Sequence, residues 1–272
     1  MALELTKSSK PQIEAAQAAP RPKDERVSAQ VTYDLTRFTL ADMVQCGRDL
    51  RHLGAVSSAM EETAGLIVRY LYEHFSDRGS GRPACVLIRL FKTHPFGELS
   101  DDLRAFAQSL MPSAVLSANT KCLTLLATIG EDPQWNLRQN SQRHKAIPLL
   151  NETLNDIPMI SQLLSQLGVK LGDLAVVKPE IIKNLDQTAF NVFHVPLALN
   201  NSFIPVQQEF VVRYGVESVL GFGGILPDGN LFTVIMFARV PIPASTAQMF
   251  RTIALNVKMA LLPALQGLVF IE

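Results

Sequence analysis

The chain has no uncharged apolar run long enough to cross a bilayer. The longest candidate, around Val234 to Val240, is interrupted by Arg239 and followed by Pro241. Its first residues, MALELTKSSKPQ, lack the apolar core of a secretory signal. Neither charge is in excess, with 25 Lys and Arg against 25 Asp and Glu, so the balance offers no reason to expect nucleic acid or an anionic membrane as partner. No basic block with interleaved aromatics appears either. Cysteine is scarce: Cys46, Cys85 and Cys122 are odd in number, far apart and set in apolar surroundings. That pattern is neither a disulfide framework nor a zinc motif, and a reducing cytoplasm is its simplest setting. No GxSxG, HExxH or paired-carboxylate spacing stands out. Gly221-Phe222-Gly223-Gly224 is not a phosphate loop, since it precedes a turn and lacks the following Lys-Ser/Thr.

What is present is a globular chain, 47% apolar over 272 residues, enough for one domain with extensions or two small ones. Its most legible stretch is Ser218 to Val240, SVLGFGGILPDGNLFTVIMFARV. Pro227, Asp228 and Gly229 make a tight turn between two strands. On the return strand Phe232, Val234, Met236, Ala238 and Val240 share one face, and Leu231, Ile235 and Phe237 share the other. Both faces are apolar, which places this hairpin in the middle of a sheet covered on both sides. The bare strand at Gly221, Gly223 and Gly224 lets a backbone or a ligand come close.

Ahead of it, residues 1–32 read as a disordered tail rich in Ala, Pro, Gln, Lys and Ser. Residues 33–78 read as one long helix opened by a Thr39/Asp42 capping box. Met43, Leu50, Ser57, Ala64 and Leu71 recur by sevens, with Cys46, Leu53, Met60, Ile67 and His74 in the complementary seam. Met43, Leu50, Leu53, Met60, Ile67 and Leu71 are therefore candidates for a dimer helix. The same stripe equally suits a helix lying on its own sheet. Residues 79–272 supply the sensor-sized remainder: strands over Ala84–Phe91 and Thr120–Ile129, a turn over Thr93–Glu98, and a short helix capped by Ser100. A helix over Ile160 to Leu167 is capped by Asn155 or Asp156. A strand or short connection covers Leu174–Val177, and another strand covers Asn191–Leu199. A short helix spans Val206–Tyr214, and a closing helix follows a Ser245–Gln248 capping box. Strand, helix and strand in this order favour an α+β fold with a mostly antiparallel sheet and helices on both faces.

The polar segment EDPQWNLRQNSQRHKAIPL, residues 131–149, is the candidate ligand region. Arg138, Arg143, His144 and Lys145 together suit an anionic ligand or simply a solvated loop. Trp135 either walls a pocket or pins the loop. His194, on an apolar strand, is either a ligand-binding residue or a satisfied core histidine. His52 lacks the adjacent acid of a kinase phosphoacceptor. No pattern names a cofactor or a metal site.

Val195-Pro196, the hairpin Ser218–Phe237 and the helix Ser245–Leu261, in this order after a long leading helix and a strand pair, resemble the GAF domain, a sensory module of bacterial signalling proteins. The resemblance spans roughly residues 36–265. It implies a GAF-like sheet with a long N-terminal helix and a closing C-terminal helix. It also implies a small-molecule ligand between the sheet and residues 131–170, a homodimer through paired helices, and an output partner such as a kinase or cyclase. With no such module before Glu272, it implies a stand-alone sensor, a partner subunit or a piece of a longer chain. Neither Cys85 nor Cys122 is followed by the histidine of a bilin-attaching site. Two other classes stay open: a non-catalytic docking scaffold with a vestigial pocket, and a cysteine-based redox enzyme.

Overall fold

A computed structural model describes residues 31–56, 59–150, 158–166, 191–204 and 206–270. The expected tail up to residue 30, the cap at Asn155 or Asp156 and the segment Leu174–Val177 lie outside the described residues.

The single long helix expected over residues 33–78 is two helices. The first, α1 (Leu40–Leu53), opens on the anticipated capping box: the Thr39 side chain accepts from the Asp42 N–H, and the Asp42 carboxylate accepts from Thr39. It closes at Gly54, and α2 (Met60–His74) begins afresh. A Cβ at Gly54 would sit 2.1 Å from the Ala260 carbonyl oxygen of α5 (Ala244–Leu261), so the two backbones touch there. Heptad spacing runs through this gap, but the chain turns a corner.

Six strands follow: β1 (Cys85–Pro95), β2 (Lys121–Gly130), β3 (Ala146–Pro148), β4 (Asn191–Val195), β5 (Ser218–Ile225) and β6 (Leu231–Ala238). They form one sheet in the order β3-β2-β1-β6-β5-β4, every neighbouring pair antiparallel. The β5–β6 hairpin is internal, as its two apolar faces require. Gly229 takes φ 76° in the turn, the left-handed conformation expected of it. The close approach anticipated along the glycine strand is made by backbone: a Cβ on Gly223 would meet the Phe232 carbonyl at 2.2 Å. Buried Lys92 reaches up to the hairpin turn and pairs with Asp228 at 3.1 Å. Thr93 accepts from the Leu231 N–H, and Lys121 donates to Asn230. These polar groups are buried because the turn occupies their hydrogen bonds.

The two faces of the sheet carry separate cores. On one, Phe232, Val234, Met236 and Ala238 meet α1, α2 and α5, with Phe38, Phe75, Phe222 and Phe250 ring against ring. On the other, Leu231, Ile235 and Phe237 pack with Val86, Phe91, Leu125, Ile160 and Leu164 of α4 (Pro158–Gln166) and with the π-helical turn Gln207–Val212. The division along β6 is the one its alternation predicts. This is the α+β sheet with helices on both faces that the sequence implied.

Smaller expectations change at element ends. Instead of turning at Thr93, β1 runs on to Pro95, and α3 (Asp101–Leu110) follows. The Ser100 hydroxyl donates to Asp102 instead of capping the backbone. The closing α5 starts at Ala244 with Pro243 in the capping position, not at the Ser245 box, because proline already holds the dihedral needed there. Its expected stripe, Phe250, Ile253, Val257 and Leu261, is fully buried.

The seam assigned to a partner helix is occupied. Leu50, Ile67 and Leu71 have no exposed surface, Met60 and Met43 are buried, and Leu53 packs against the same core. They hold α1 and α2 to their own core, the other of the two readings that the stripe allowed, so these six side chains are not an exposed seam.

Candidate functional site

Arg89 lies midway along β1, opposite Thr128 of β2 and Ile235 of β6. Because Ile235 belongs to the α4 side of the sheet, the guanidinium projects into that core, between Leu87 and Phe91. Its Nε is buried and has no hydrogen-bond partner. Among the described residues its one polar partner is His144, whose Nδ1 lies 3.2 Å from Arg89 Nη1. No carboxylate pairs with it there. Burial lowers Arg89 to about 10, so it stays charged at neutral pH.

His144 is the complement of this cation. Arginine can only donate, so Nδ1 must accept and the ring proton resides on Nε2. Burial, followed by the charges of Arg89 and Arg143, pulls His144 down to about 4, and the ring is neutral. The Thr128 hydroxyl, directly across from Arg89, is also buried without a partner. One full positive charge and an unused hydroxyl thus face the α4 side of the sheet at β1 and β2.

Trp135 borders this face. A Cβ on Gly130 would meet Trp135 Cε3 at 2.8 Å and Leu87 Cδ1 at 3.2 Å, so the indole covers the β1–β2 end next to Leu87. Its ring packs on Tyr214 at 4.6 Å and Phe210 at 5.6 Å. The same loop is tied down by Glu131, held between Arg82 and Arg239, and by Asp132, which accepts from the Tyr214 hydroxyl. Trp135 pins this loop to the sheet.

The other basic residues of the loop do not converge. Arg138 pairs with Glu61 of α2 and lies 4.3 Å over the Phe270 ring. Arg143 is exposed. Lys145 extends over Phe106 of α3, 5.7 Å from the ring centre. Of the anticipated anion cluster only His144 enters the site, because loop side chains follow no period that would put neighbours on one side. His194 lies on the opposite face. It pairs with Leu220, whose side chain is in the core beneath α1 and α5, and burial lowers its pKa. The two singled-out histidines therefore belong to different layers.

Arg89 went unremarked in the sequence. Its signal was a lone charge inside ACVLIRLF, a run otherwise apolar on both faces. The cysteines offer no thiolate: Cys46, Cys85 and Cys122 are free and buried, and burial raises all three, Cys85 and Cys122 to about 12. Among the described residues no helix is long and apolar enough to cross a membrane, and no group of three or more His, Cys, Asp or Glu is placed to hold a metal.

No protein-family model matches the chain, and no curated protein matches its sequence. Solved structures do. The GAF domain of a phosphoenolpyruvate-protein phosphotransferase from Coxiella burnetii is 11% identical, covering 82% of this chain and 95% of its own, at a TM-score of 0.41. A phycoerythrobilin-bound GAF domain of a cyanobacterial phytochrome is 10% identical over 82% and 95%, at 0.42. An N-acylhomoserine lactone-dependent LuxR family transcription factor from Burkholderia cenocepacia is 12% identical over 84% and 99%, at 0.36. At these identities and scores no ligand, partner or residue role is carried over to this chain.

Proposed function

We propose that this chain is a GAF-like sensory module that binds a small anionic ligand on the α4 side of its sheet, at Arg89. The observation that carries the reading is the Arg89 guanidinium, its Nε buried and unpartnered, with no carboxylate on it among the described residues. A buried unpaired ion costs several kcal/mol, and a bound anion removes that cost. His144, Thr128 and Trp135 surround the same place on the sheet. Arg138, Arg143 and His194 have no part in it.

The reading is tested with a deproteinised metabolite extract added to purified chain in a thermal-unfolding assay. Wild type gains melting temperature and Arg89→Met does not. An extract that leaves wild type unmoved, or raises both proteins equally, overturns the site and leaves the docking scaffold as the better account.

Signalling needs a ligand that favours one arrangement of the chain over another. We assign pairing of copies to the outer faces of α1 and α5, where Leu40, Val44, Leu255 and Met259 are exposed on two helices that pack together. The output protein would read that pair.

A further inference from the structure

Resting on the ligand site just proposed, we infer that its ligand is an apolar monocarboxylic acid, gripped by the Nε/Nη2 edge of Arg89.

Three observations select this class. The first is which guanidinium nitrogens are engaged and which is left without a partner. His144 engages Nη1 at 3.2 Å. The other edge, with Nε and Nη2 donating side by side, has a buried and unpartnered Nε. Two parallel donors in one plane match the two oxygens of a carboxylate. The second is the count of charge. His144 is neutral, held down to about 4, and Lys145 and Arg138 are engaged elsewhere. A single cation here, among the described residues, balances a single negative charge; a phosphate ester near neutral pH carries closer to two and needs more donors than one fork supplies. The third is the surroundings. Leu87, Phe91, Leu125 and Ile235 lie on this face of the sheet, and Thr128 adds one buried hydroxyl opposite Arg89. A carboxylate therefore meets the fork and the Thr128 hydroxyl, and the rest of the ligand lies against hydrocarbon.

The test uses the full chain and four probes: benzoate, octanoate, benzamide and phenyl phosphate, titrated by calorimetry and by thermal shift. Benzoate or octanoate binds wild type and benzamide does not. Arg89→Lys keeps the charge but loses the fork, and weakens the carboxylate about tenfold or more. Arg89→Met abolishes binding, and Thr128→Val weakens it several-fold. Benzamide matching benzoate, or Arg89→Lys binding carboxylate as tightly as wild type, overturns the inference. Phenyl phosphate binding at Arg89 in place of the carboxylates overturns the class and leaves the ligand site standing. If the metabolite extract raises wild type but none of the four probes binds, the class again fails alone. If neither extract nor probe binds, both readings fall.

Discussion

At the scale of single residues, the α4 side of the sheet carries a cation that no carboxylate among the described residues neutralises. Arg89→Met replaces a buried charge by a side chain of similar reach in an apolar layer. We expect it to stabilise the ligand-free protein by about 1–3 kcal/mol in urea unfolding, whereas a loss of stability would show that Arg89 is structural. Acid sensitivity is a second consequence. His144 is held down to about 4 by burial and by Arg89 and Arg143. His94, 3% exposed with neither ring nitrogen partnered, is held down to about 3 by burial and by Lys92, with Asp228 and Lys121 also near. Unfolded, both titrate near 6.5. Their contribution is undiminished above that pH. Below it the unfolded chain binds protons that the folded chain refuses, and stability falls by about 1.4 kcal/mol per pH unit for each histidine until the folded values are reached. Unfolding curves between pH 7 and 4 measure this slope, to which half-buried His194 adds, and His94→Phe should remove the His94 share of it.

At the scale of elements, the sequence was most legible where a period of two met a turn of fixed chemistry. Both faces of β6 and the Pro227–Gly229 turn could be assigned in advance because alternation leaves one answer. The long helix was over-read because heptad spacing carries no mark of a corner; only the backbone contact of Gly54 with α5 shows it. The destinations of Arg138, Arg143 and Lys145 were not legible, since an irregular loop sets each direction separately. Leu50→Asp therefore unfolds the chain, as lost helix signal in circular dichroism, and does not merely separate two folded copies. Leu255→Asp with Met259→Asp should leave that spectrum intact while light scattering falls from dimer to monomer mass. A mass unchanged by the pair removes the α1–α5 surface from the proposal. Gly54→Ala forces α1 and α5 apart, and a loss of about 2 kcal/mol or more is expected from overpacking.

At the scale of the whole molecule, residues 138–144 reach from one face of the sheet to the other. His144 meets Arg89 on the α4 side of the sheet, while Arg138 meets Glu61 at the start of α2. There the N–H groups of Met60 and Glu61 donate to the carbonyls of Leu268 and Val269. Ligand binding should slow amide hydrogen exchange at 138–144 and also at 60–62; protection confined to the α4 face would separate the two. The strand order has a consequence of another kind. The neighbours of β1 are β2, which follows it closely, and β6, which is made about 140 residues later. On the ribosome, the open edge of CVLIRLF must wait, apolar on both faces, until the β5–β6 hairpin emerges to cover it. A nascent chain paused between β3 and β5 is therefore the form most exposed to aggregation and most dependent on a chaperone. That hazard comes from the order of synthesis, and the finished fold does not show it.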